Sequence, residues 1–238
     1  MPADTHDAVL SFYRVRQAMG AIGIVVPVLL VGLSLAGYAP LPPALSDYYH
    51  TPLRDLFVGT MVSLGVFLLT YLGHREINGI VTDRTVSTAA GLGAIGIALA
   101  PNRTLDPCLP VPILMQTDLM AAIHVLSAGV FLGATAVFCL VLFPRAGRTV
   151  PTPGKRRRNQ VYRLCGWAIL LSLAGLGAYF LALGPEARCA IRDLRPVLWL
   201  EVVTVLAFGV AWLVKGRGIR ALNDDRHDPR DMPPPRDG

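Results

Sequence analysis

The sequence predicts an all-α fold: a polytopic transmembrane bundle of six helices with both termini cytoplasmic. Three observations carry that prediction. Only 16% of the 238 residues are charged while 53% are hydrophobic, whereas soluble domains carry about 25% charged residues. Six apolar stretches alternate with polar connections. The Lys and Arg residues fall mostly into alternate connections, as membrane orientation requires. The mean hydropathy of +0.50 agrees with a surface that faces lipid.

The first apolar stretch runs from about 19 to 39 and is entered from Arg14 and Arg16. A spanning helix needs about 20 apolar residues, so this stretch suffices and reads as a retained signal anchor. Pro27 inside it predicts a bend that a bundle tolerates. The second covers 56–73. The third, 85–100, has about 16 residues and is the shortest. Its Gly91, Gly93 and Gly96 predict close packing against a neighbouring helix. The fourth covers 119–143, the fifth 162–184 and the sixth 196–214, closed by Lys215.

The domain plan is a cytoplasmic tail over 1–16, a transmembrane domain over 17–216 and a disordered cytoplasmic tail over 217–238. The last segment is polar and rich in proline and has no apolar set to bury. All but five of the 22 Lys and Arg lie in the two tails, the 74–84 and 144–161 connections and the adjoining Arg163 and Lys215; the exceptions are Arg54, Arg103, Arg188, Arg192 and Arg195. Positive residues favour the cytoplasmic side, so those four regions are predicted inside. The run Lys155-Arg156-Arg157-Arg158 reads first as a topology anchor and second as a contact for anionic lipid. The net charge of +6 needs no nucleic acid to explain it, since no nucleic-acid motif accompanies it. His74-Arg75-Glu76 reads as the cap of the second helix. A haem held between His74 and His124 is excluded by their opposite depths.

Four cysteines are present. Cys139 and Cys165 fall within apolar stretches and read as small core residues. Cys108 and Cys189 fall in two connections on the predicted outer side, where an oxidising compartment permits a disulfide. Lys and Arg assigned the sidedness, so the co-location of the two thiols is independent of it.

The chemistry-bearing residues gather at one predicted depth. The first outer connection reads Ser46-Asp47-Tyr48-Tyr49-His50-Thr51-Pro52-Leu53-Arg54-Asp55. His124 lies five residues into the fourth stretch and Glu201 five residues into the sixth, each roughly 8 Å from the outer end. Ionisable groups in a membrane are costly and face the bundle interior or a wet cavity. Glu201 therefore needs a partner from another segment, and His124 and Arg54 are the candidates. Asp47, His50, Asp55, His124 and Glu201 form the candidate catalytic set, with acid–base work as the chemistry. Arg54 is the candidate ligand-binding residue, because its fork suits a phosphate or carboxylate head group. A hydrogen-bonded cluster that only ties helices together is the competing reading. Zinc on His50, His124 and one carboxylate is the weaker third, since no HxxxH or HExxH pair occurs; neither a metal nor a cofactor is predicted. Ser46 reads as a turn or cap residue rather than a nucleophile, and Tyr48 and Tyr49 as interfacial anchors. Pro40, Pro42, Pro43 and Pro52 make the connection rigid.

The Ser-Asp-Tyr-Tyr-His connection followed by Arg-Asp-Leu-Phe-Val-Gly resembles uncharacterised bacterial six-helix membrane proteins. More distantly, residues 41–73 are similar to the FRAG/DRAM/SFK-like group, which has six helices and a serine in its first outer loop. That resemblance implies a lipid-related role. Ceramidase-like hydrolases share the Ser, Asp and His content, but their closing HxxxH helix has no counterpart here, so none of their zinc ligands is transferred. The expectation is a multi-pass cell-membrane protein whose outer-facing polar pocket binds or modifies a lipid. The alternative is a non-enzymatic scaffold or accessory subunit. Membrane lipids are the expected partners, and homo- or hetero-oligomers within the membrane are compatible with the sequence.

Overall fold

The computed structural model describes residues 3–71, 73, 81–103, 108, 118–145 and 152–223. The described residues are mostly helical, without strands, and build seven α-helices: α1 Ala3–Leu35, α2 Arg54–Thr70, α3 Asp83–Leu99, α4 Asp118–Val137, α5 Pro153–Leu181, α6 Pro185–Ala190 and α7 Pro196–Lys215. A 3-10 turn, Ser46–His50, precedes α2, and α4 continues into a π-helical turn, Phe138–Leu142. Four segments are long and apolar enough to cross a membrane: Ser11–Leu35, Leu119–Leu142, Pro153–Leu181 and Arg192–Lys215. At 17 residues each, α2 and α3 are about 25 Å long, short of the roughly 30 Å of a hydrocarbon core.

Several boundaries differ from the sequence reading. The 1–16 tail is not separate from the first helix, because α1 begins at Ala3. The 33-residue helix is about 50 Å long, so it carries apolar and polar turns in one rod. Residues 153–161, expected in a connection, open α5. The reason is local: Thr152 accepts a hydrogen bond from the Lys155 amide at 3.2 Å, and Pro153 occupies the first turn, where its missing N–H is harmless. The short α6 lies in the connection between the fifth and sixth apolar stretches. Within the 217–238 tail, expected to be disordered, Arg220–Leu222 forms a 3-10 turn, and the Leu222 carbonyl accepts from Arg158 Nη1 at 2.7 Å. The His74-Arg75-Glu76 cap and residues 224–238 lie outside the described residues.

Packing follows the small residues. α3 is wedged between α2 and α4. A Cβ on Gly91 would meet the Leu69 side chain at 2.8 Å and the Gly65 carbonyl at 2.9 Å, and one on Gly93 would meet the Ser127 carbonyl at 2.8 Å. α1 meets α7 equally closely, with a Cβ on Gly23 lying 2.8 Å from the Gly209 Cα. Backbones this near gain dispersion contacts that larger residues would forbid. The core continues through Leu30, Leu64, Phe131, Ile169, Leu198 and Trp212.

The first connection is fastened to α7. The Leu198 amide donates to the Pro43 carbonyl at 3.0 Å, and Arg195 Nε donates to the Leu41 carbonyl at 3.3 Å. Cys108 and Cys189 are joined by a disulfide with Cα atoms 5.1 Å apart. Cys139 and Cys165 are buried, free thiols.

Candidate functional site

The 3-10 turn is held from below by a phenol. Tyr48 is fully buried and its hydroxyl donates to the Leu30 carbonyl at 2.9 Å. Its one proton is then spent, so Ser34 Oγ donates to the Tyr48 oxygen at 2.8 Å. Burial holds the Tyr48 phenol above its ordinary pKa, which keeps the donor in place at any physiological pH. Tyr48 thus acts as a post between α1 and the turn rather than as an interfacial anchor.

On that post the turn aims Ser46 at α7. The Ser46 amide donates to Glu201 Oε2 at 3.1 Å and its hydroxyl to Glu201 Oε1 at 3.3 Å. The carboxyl is therefore received at the start of the turn, by two donors of Ser46 and by the Leu45 amide beside it. This corrects the expected pairing: Glu201 is held by Ser46, and among the described residues neither His124 nor Arg54 bonds it. The backbone donor is the reason, because a turn that presents its amide to the carboxylate removes the need for a cation.

Asn102, just beyond α3, is the hub that sequence reasoning missed. Its Nδ2 donates to Asp47 Oδ1 at 2.5 Å and to Ser46 Oγ at 3.3 Å, and its carbonyl accepts from His50 Nε2 at 2.9 Å. Two residues earlier, the Ala100 carbonyl accepts from His124 Nδ1 at 2.8 Å. An Asn in a polar connection carries no pattern of its own. The one available signal was its place between Pro101 and Arg103 at the end of a helix.

A carbonyl oxygen only accepts, so the hydrogen on His124 sits at Nδ1. In the neutral ring, Nε2 is then a lone-pair base, and it takes no hydrogen bond from any described residue. His124, Glu201 and Ser46 all line one cavity of about 70 Å³, whose other walls are apolar apart from Thr60, among them Leu30, Phe57, Met61, Phe131 and Val205. One water needs some 10–15 Å³ on this scale, so there is room for about five.

The predicted site residues therefore separate into three groups. Glu201 and His124 line the cavity. Asp47, 4% exposed, and His50 stand behind it in the Asn102 network. Arg54 and Asp55 are exposed at the start of α2, where the Arg54 guanidinium lies 4.6 Å from the centre of the Tyr49 ring and Nη2 donates to the Tyr49 hydroxyl at 3.0 Å. Neither lines the cavity. The arrangement offers a carboxylate, a hydroxyl and an imidazole base to one end of an apolar guest. Among the described residues, no group of three or more His, Cys, Asp or Glu is close enough to hold a metal ion.

Comparison of the chain with protein-family models, with curated proteins and with solved structures finds no match.

Proposed function

We propose that this chain is a six-span membrane protein whose cavity receives the polar end and adjoining carbons of a single-chain lipid, with the polar group directed at Glu201 and His124 beside Ser46. The single observation that carries the reading is the composition of the cavity: apolar walls from α1, α2, α3, α4 and α7 with two ionisable side chains and the hydroxyl residues Ser46 and Thr60. Ligand sites combine these features, an apolar wall for affinity and a few converging polar groups for orientation. The resemblance of residues 41–73 to the FRAG/DRAM/SFK-like group points the same way.

Two arguments support six spans with both termini cytoplasmic. Short helices are accommodated by local thinning of the bilayer, and α3 lies between α2 and α4, with Asp83 and Arg84 at one end of it. The cation distribution then gives the sidedness, with the cavity in the outer half. Among lipids, a head group that carries a proton would donate it to His124 Nε2, because both Ser46 donors are engaged by Glu201. Chemistry on that head group would use His124 as the base.

The test uses protein reconstituted in phosphatidylcholine nanodiscs and a pyrene-labelled long-chain fatty acid. Binding that saturates, and that is lost in Ala128→Leu with an unchanged Tm, is the expected result, since Ala128 lines the cavity. Undiminished binding in both Ala128→Leu and Glu201→Gln would sink the reading. In that case the polar cluster only ties helices together.

A further inference from the structure

The end of the bundle opposite the cavity gathers cations from three helices. Arg16 on α1 is 8% exposed and Arg158 on α5 is 7% exposed. Lys155 on α5 and Lys215, the last residue of α7, are partly buried. The helical phase of α5 separates its basic run: Arg156 and Arg157 face out, while Lys155 and Arg158 turn inward with Tyr162. Lys215 lies in the field of Arg16, Lys155 and Arg158 as like charges, with Asp83 the acid that acts on it. Like charges brought together at low dielectric repel strongly unless something negative joins them.

The same place is short of acceptors. Arg16 donates from Nη2 to the Tyr71 hydroxyl at 3.2 Å, yet its buried Nε has no hydrogen-bond partner, and neither has the indole N–H of fully buried Trp212. Trp212 is one turn before Lys215 on α7, and its ring lies 5.1 Å from that of Tyr71. The Lys215 ammonium rests 4.8 Å from the centre of the Phe143 ring and makes no hydrogen bond with a described residue. Lys155 Nζ donates to the Phe143 carbonyl at 2.7 Å and lies 5.9 Å from the centre of the Tyr162 ring. Buried donors in folded proteins find acceptors almost without exception. Three donors on adjacent faces of α1 and α7 without one mark a missing acceptor. The α5 N-terminus adds its positive dipole end, which four adjoining cations would otherwise oppose.

We propose that this end of the bundle binds a phosphate-class anion, held by Lys215 and Arg16 with Lys155 and Arg158 behind them. The anion supplies the acceptors that Arg16 Nε and Lys215 lack, and it neutralises the like charges. A guanidinium with free donors and a nearby ammonium is a common pairing for phosphate oxygens. The phosphate belongs either to a lipid head group or to a free ion, and the two sources are separable.

The experiment is thermal unfolding of the full chain in phosphatidylcholine nanodiscs. One arm titrates inorganic phosphate against sodium chloride at matched ionic strength. The other replaces part of the lipid with phosphatidylglycerol. The expected result is a saturable Tm rise of a few degrees in at least one arm. A rise in the lipid arm alone assigns the head group; a rise with inorganic phosphate assigns the free ion. Lys215→Met is expected to unfold no earlier than the parent in plain phosphatidylcholine, because it removes an uncompensated charge, and to lose the shift. Lys215→Arg is expected to keep it. Equal effects of phosphate and chloride with none from phosphatidylglycerol, or a full shift in Lys215→Met, would overturn the proposal, and the unmet donors would then be served by structural water.

Discussion

At the scale of single residues, Glu201 and Ser46 decide whether the cavity keeps its polar end. Glu201→Leu leaves the Ser46 amide, now aimed at a carboxylate at 3.1 Å, without an acceptor, and a buried unmet donor costs about 1–3 kcal/mol. Its Tm should fall by several degrees. Glu201→Gln keeps one oxygen for that amide, so its Tm should stay near the parent value while labelled fatty-acid binding weakens. Arg54→Ala and Asp55→Ala should each change stability by no more than about 0.5 kcal/mol in the same unfolding assay, because both side chains are exposed. A large loss in either would mean that the start of α2 reaches the cavity after all. The two groups were indistinguishable in the sequence, since depth along an apolar stretch identifies Glu201 and His124 but not a residue's direction around a helix end. Asn102 was invisible for a different reason: its side-chain amide and backbone carbonyl meet partners more than 50 residues away in the sequence, and only the tertiary fold brings them beside Asp47 and His50.

At the scale of elements, the α1–α7 contact depends on glycine. Gly20 and Gly23 face Gly209, and a Cβ on Gly209 would lie 2.8 Å from the Gly20 carbonyl. Gly209→Leu forces those backbones apart, with an expected loss of about 1–3 kcal/mol, the usual range for overpacking. Gly32→Leu, with nothing within 4 Å of its added Cβ, should be close to neutral. Denaturation in mild detergent compares the two directly. Similar losses in both would show that helix propensity, not close approach, governs α1. The same physics made the third apolar stretch readable: Gly91 and Gly93 predicted close packing, and they are the points where α3 touches α2 and α4. The start of α5 was not readable, because Lys155-Arg156-Arg157-Arg158 has no apolar periodicity. A Thr cap and a proline, both weak local signals, set that boundary.

For the whole molecule, the bonds among connections fix which ends of the rods lie together. Pro43 receives α7, His50 and His124 both reach the stretch after α3, and the disulfide joins Cys108 to Cys189, 81 residues apart. On the proposed six-span reading, these contacts place all of those connections in one compartment, and α5, if it spans, puts its basic start in the other. The disulfide further requires the shared compartment to be oxidising, since reducing cytosol keeps thiols open. Two measurements follow from this single arrangement. Reporter fusions placed beside Cys108 and beside Arg158 should fall on opposite sides. Cys108→Ser and Cys189→Ser should each abolish the mobility difference between reduced and non-reduced protein, with a stability loss of about 2–4 kcal/mol in the mature chain. If both fusions report the same side while the bridge is intact, the odd segment is α2 or α3, the two helices too short to cross unaided. The cavity, which needs walls from both, would then lie at the membrane surface rather than within it.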